Sequence, residues 1–114
     1  MAKAILKGAL AAMRTLKLAF TAAVEAGDVI LSGGHVLVAA NAYAADEAGI
    51  YVFRGPIEAP KQASLVVAST AILYWDDTAG CATTIATANT KMGIARKAAV
   101  AADTTVLIEL AENK

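Results

Sequence analysis

Hydrophobic and polar positions alternate with a period of two along most of this chain. Leu16, Leu18 and Phe20 alternate with Thr15, Lys17 and Ala19, the signature of a half-buried strand. Before them, Ile5, Leu6, Ala9, Leu10 and Met13 fall at spacings of three and four. Gly8 interrupts that pattern, which leaves a helical turn and a flexible arm as alternatives. Residues 29–31 and 35–39 read as two short strands joined by a turn over Ser32, Gly33 and Gly34. Residues 41–49 read as a loop, with one helical turn at 44–48. Residues 50–54 are rich in β-branched and aromatic side chains and predict a strand that Gly55-Pro56 stops. A short extended piece at 57–59 follows, bounded by Pro60, and 62–70 fits strand and loop equally. Residues 71–75 predict a strand. Asp76, Asp77 and Gly80 make the next segment a turn, and 81–87 the return strand. Residues 91–97 predict a strand in which Gly93 marks a bulge or a close backbone approach. Residues 104–110 predict the last strand, with Val106, Ile108 and Leu110 on one face.

Many short strands with turns every eight to twelve residues predict an all-β domain, a small sandwich or barrel. Its boundaries fall at an N-terminal arm (1–13), one β-rich domain (14–110) and a short tail (111–114). A chain of 114 residues suits one core. The 58% hydrophobic content includes 29 alanines, which bury little area each and suit close packing against another chain.

Ten basic and ten acidic residues balance, but unevenly: Lys3, Lys7, Arg14 and Lys17 all precede the first acid, Glu25. This basic arm fits equally a solvated N-terminus and an arm that docks on an acidic surface. Four spaced cations without clustered aromatics are a thin footprint for nucleic acid, which is not expected as a partner. The single Cys81 rules out an internal disulfide and fits a reducing compartment. No segment free of charge supplies the ~20 apolar residues of a membrane-spanning helix. Residues 1–26 imitate a signal peptide in their Lys and Ala content, but Arg14 and Lys17 interrupt the apolar region, so secretion is not expected.

Candidate chemistry is sparse. Asp76 and Asp77 are adjacent; in a turn such residues cap backbone, and in a strand they point to opposite faces. His35 is the only histidine and has no ligand cluster near it in sequence, whereas zinc needs several ligands. Cys81 as a nucleophile would need a base such as His35 beside it. No catalytic residue, metal or cofactor is expected. Of Tyr74 and Trp75, one should point outward by alternation and could anchor an interface.

Several segments in order resemble the tailed-phage capsid cement, or head-decoration, proteins. They are Ala26-Gly-Asp-Val-Ile30 with its Gly-Gly turn, Leu73-Tyr-Trp-Asp-Asp77, Ala82-Thr-Thr-Ile-Ala-Thr87, Asn89-Thr-Lys-Met-Gly-Ile-Ala95 and Ala102-Asp-Thr-Thr-Val-Leu-Ile-Glu-Leu110. No single one is specific; their order and spacing from about residue 15 to 110 carry the resemblance. Where the family often has a Gly before the aromatic strand, this chain has Val67-Ala-Ser-Thr70. The first thirteen residues lie outside the resemblance. An older label for such proteins, a RecA/RadA-type recombinase, does not fit: no G-x-x-x-x-G-K-[ST] loop is present.

The resemblance implies a small β-clip or tulip-like barrel, placed on the outer surface of the expanded icosahedral head. It implies a structural role: bridging major capsid protein subunits against internal DNA pressure, as a homotrimer at three-fold and quasi-three-fold positions of the virion, after synthesis in the host cytoplasm. The residues expected to meet the capsid are Lys3, Ile5, Leu6, Lys7, Leu10 and Arg14, with Tyr74 and Trp75 at a subunit or capsid interface. Alternatives are a tail-tube or head–tail connector component, and a small-ligand or enzymatic β-clip module.

Overall fold

The computed structural model describes residues 4–7, 14–32 and 34–111. Among them are nine strands and no helix: β1 (Ile5–Leu6), β2 (Arg14–Ala19), β3 (Val29–Ser32), β4 (His35–Ala39), β5 (Ala48–Pro60), β6 (Ile72–Asp76), β7 (Cys81–Thr83), β8 (Thr90–Ala95) and β9 (Thr105–Leu110). The expected all-β class holds. The strands follow the order β3-β4-β5-β9-β8-β6-β7, all antiparallel, and β1 and β2 each pair with β5 outside that order. The sheet curls into a half-barrel.

The chain departs from its sequence reading at three elements. Gly55-Pro56 does not stop the strand; β5 runs unbroken for 13 residues. Proline lacks only its N–H, and here that position faces the β1 side, where the Pro56 carbonyl accepts from Lys7 N at 3.0 Å. The β9 ladder is therefore intact from Gly55 opposite Leu110 to Pro60 opposite Thr105. The helical turn expected at 44–48 is a β-turn in which Glu47 N donates to the Ala44 carbonyl. The return strand is only Cys81–Thr83, because the Thr83 hydroxyl turns to accept from Ile85 N and ends the ladder. At the arm, Ile5–Leu6 pairs with Glu58 and Ile57 of β5 as strand, while residues 8–13 lie outside the described residues.

Two cores result. The larger takes Val29, Val36, Val38 and Val52 from one half of the chain, and Ile57, Leu73, Trp75, Met92, Ile108 and Leu110 from the other. The smaller joins Leu37, Ala39, Tyr51 and Phe53, covered by Leu18, Phe20, Val24 and Tyr43. Strand β5 serves both: Tyr51 and Phe53 face the small core, and Ile57 and Ala59 the large one.

The two halves repeat one another. Val24 and Tyr43 bridge with two mutual backbone hydrogen bonds, as do Val67 and Ala99. After each first partner comes a turn, closed by Asp28 N to Glu25 O and by Ala71 N to Ala68 O. Gly27 N donates to Ala39 O, and Thr70 N to Ala95 O; Ala39 N donates to Asp28 O, and Ala95 N to Ala71 O. After each second partner the turns are again alike. Glu47 N donates to Ala44 O and Asp103 N to Val100 O, and the acid at that fourth position accepts from the first backbone N–H, at 2.7 Å for Glu47 and 3.0 Å for Asp103. Residues β3-β4-β5 thus correspond to β6-β8-β9, with Val29 opposite Val38 in the first unit and Ile72 opposite Ile94 in the second.

Candidate functional site

The residues with chemical potential are occupied in turns. Asp76 Oδ1 accepts from Thr78 N and Ala79 N, both at 3.1 Å, so this carboxylate caps its own turn as its position predicts. Asp77 Oδ1 accepts from Trp75 Nε1 at 3.2 Å. Cys81 stands opposite Asp76 in the β6–β7 register. Burial first, and the neighbouring Asp76 second, push its thiol above the ordinary value, which lowers its nucleophilicity near neutral pH. His35 opens β4, half-buried, with Nδ1 enclosed and unpartnered among the described residues. Among the described residues no three His, Cys, Asp or Glu side chains gather where they could hold a metal. No described helix is long and apolar enough to cross a membrane.

The described residues present an open sheet face and two shallow clefts. The β5-β9-β8-β6 sheet has one face in the large core and the other open. Alternation puts Leu73 and Trp75 inward and Ile72 and Tyr74 outward on β6; Ile94 is outward on β8; Thr105, Leu107 and Glu109 are outward on β9. Ile5 pairs with Glu58, so its side chain shares this outer face, and it is 54% exposed. A shallow groove of about 460 Å³ crosses the same face, between Lys7, Glu58, Thr105 and Leu107 on one side and Lys97 and Asp103 on the other. A second cleft of about 290 Å³ lies between Leu6 and Gly27.

The residues expected at an interface distribute as follows. Ile5, Lys7 and Tyr74 stand on the outer face, and Lys7 pairs with Glu58 at 3.7 Å. Leu6 packs against the large core instead. Trp75 is also enclosed there, at 2% exposure, because the inward register of β6 leaves the surface position to Tyr74. Arg14 lies over the Phe53 ring, 5.6 Å from its centroid, on the opposite part of the fold. Lys3 and Leu10 lie outside the described residues.

Sequence reading missed the most exposed apolar group of the second half. Ile72 and Ile94 are directly paired, and the isolated Val67–Ala99 bridge beyond the intervening turn sets Val66 beside Val100. The signal was present: Ile72-Leu-Tyr-Trp is apolar on both faces, more than one core requires. The turn before Val66 is fixed from inside by Lys61, which is 6% exposed and donates from Nζ to the Gln62 and Leu65 carbonyls.

The model of one family, described as phage cement protein, matches residues 11–110, the whole β domain. No curated protein and no solved structure matched the chain. By a match spanning nearly its full length, the chain belongs to the phage cement protein family.

Proposed function

We propose that this protein clamps the expanded phage head from outside, bridging neighbouring major capsid protein subunits so that DNA pressure must break several contacts at once to part them. A cement role and a place on the virion capsid come with the family. The outer position, the bridging, the homotrimer at three-fold and quasi-three-fold sites and synthesis in the host cytoplasm are this reading's additions. The observation that carries it is the family match over residues 11–110, a span that holds eight of the nine described strands of the sheet. A stiff sheet transmits load without unfolding. Joining sites on two or three subunits raises effective concentration and multiplies modest contacts. The arm contributes Ile5 and Lys7 to the outer face. The reading also expects neither catalysis nor nucleic acid binding.

The test is co-sedimentation of the full chain with purified expanded heads and with unexpanded shells, followed by the force or temperature at which loaded heads rupture. Selective binding to expanded heads with a raised rupture threshold is expected. Equal binding to both shells, or binding with no gain in strength, overturns the clamp reading.

A further inference from the structure

The internal repeat supplies a control for what is exposed. The Ile72–Ile94 rung of the second unit occupies the place of the Val29–Val38 rung of the first. Val29 and Val38 are 4% and 0% exposed, inside the large core, whereas Ile72 and Ile94 are 48% and 40% exposed. The same backbone device thus buries this face in one unit and leaves it open in the other. Val66 and Val100, 67% and 60% exposed beside the isolated Val67–Ala99 bridge, correspond to Ala23 and Ala44 in the first unit. Apolar side chains have been placed where the repeat's other copy keeps only methyl groups.

The charge beside this strip is one-sided in what remains available. Glu58 Oε2 accepts from Thr105 Oγ1 at 2.8 Å and also pairs with Lys7; Asp103 Oδ2 accepts from Val100 N; Glu109 pairs with Arg96 at 3.6 Å. The acids around the groove are engaged, while Lys97 has no partner among the described residues. The groove therefore offers positive charge and asks for a carboxylate. A second copy set face to face would bring the same engaged acids and leave both Lys97 ammonium groups unmatched.

We propose that the outer face carrying Ile72 and Ile94, with the Lys97 groove at its edge, is the surface that meets the head, and that it receives an apolar segment of the major capsid protein bearing a carboxylate. This inference rests on the cement reading above. The paired isoleucines bury against the segment's apolar side chains, where well-packed central contacts dominate affinity. Lys97 fixes the segment's direction and supplies the salt-dependent part of binding.

The experiment titrates the full chain onto expanded heads lacking it. Wild type is compared with Ile72→Asp/Ile94→Asp, the strand-favouring Ile72→Thr/Ile94→Thr, Lys97→Glu and, in the first unit, the control Leu31→Asp. Thermal melts verify that each variant folds, and sedimentation gives its oligomeric mass without heads. The Asp pair is expected to bind about tenfold or more weakly. The Thr pair should bind less weakly than that, Lys97→Glu should lose most of the salt dependence, and Leu31→Asp should match wild type. Wild-type affinity in a folded Asp-pair variant overturns the assignment. So does an Asp pair that alters the mass without heads, which makes the face a contact between copies. Failure of wild type to bind any head overturns the cement reading instead.

Discussion

Gly93 is the position where this sheet has least room, and replacing it with alanine tests the packing directly. A Cβ there would stand 2.0 Å from the Glu109 carbonyl oxygen and 3.2 Å from Leu110 Cα. Both neighbours are main chain, so no side chain can rotate aside. Strand β9 cannot move either without loss, since Glu109 and Leu110 pair with Ile94 and Gly93 on one edge and with Pro56 and Gly55 on the other. Overpacking of this kind costs about 1–3 kcal/mol. Each ladder hydrogen bond stretched to relieve it costs about 1 kcal/mol more. Gly93→Ala should therefore destabilise by about 3 kcal/mol, a fall in Tm on the order of 12–24 °C for a domain of this size. Gly80→Ala is the matched control. Its Cβ meets nothing within 4 Å, but its φ of +71° is left-handed, so only the conformational cost of about 1 kcal/mol applies. Thermal unfolding followed by circular dichroism, at one protein concentration, ranks the two. A Gly93→Ala melt within 4 °C of wild type, or a larger loss at Gly80, would refute the close approach of β8 and β9.

Two further outcomes follow from buried polar groups. Tyr43 stacks against Gly49, and its hydroxyl accepts from Ile50 N at 2.9 Å; Tyr43→Phe keeps the ring but orphans that N–H, at a cost of about 1–2 kcal/mol, read as a lower urea midpoint with unchanged slope. Burial, then Asp76, holds the Cys81 thiol above its ordinary 9.0; burial, then Tyr43 and Glu47, holds the Tyr51 phenol above its ordinary 10.0. The folded chain keeps these protons more tightly than the unfolded one, so this stabilisation is whole below pH 9 and is lost as pH rises through the raised values. Urea midpoints should fall above pH 9, and less steeply in Tyr51→Phe; a flat profile to pH 11 would exclude the linkage.

The strands were legible because their evidence is local. Val36-Leu-Val and Val106-Leu-Ile carry β-branched side chains at a period of two, and Asp76 announces its turn through an oxygen that can cap two residues on. The continuity of β5 was not legible. Whether Pro56 breaks a strand depends on which side its missing N–H faces, and that is decided by β1 and β9, more than forty residues away in either direction. The repeat was hidden for another reason. Its units are matched in backbone hydrogen bonds, while the turn residues differ: Gly27 holds a φ of +85° where Thr70 holds +67°. Four non-glycine residues, Asp46, Ser64, Thr70 and Ala88, adopt positive φ, so composition does not mark these turns.

The outer face illustrates a deeper limit of alternation. A period of two says that a strand has two sides, and burial is then assigned to the more apolar one. In β6 both sides are apolar: Leu73 and Trp75 fill the core, and Ile72 and Tyr74 stand opposite. Trp75, the larger aromatic, is taken by the core, so the residue that looks best suited to anchor a partner is the one least able to reach it. For a clamp this division has a mechanical reason. On the proposed contact, load at Ile72 and Ile94 would pass through the backbone into Leu73, Trp75, Met92 and Ile108, one buried cluster, and reach β5 through paired strands. Apolar positions on both faces of the same two strands are what a protein needs if it is to hold a partner and its own core with one piece of sheet.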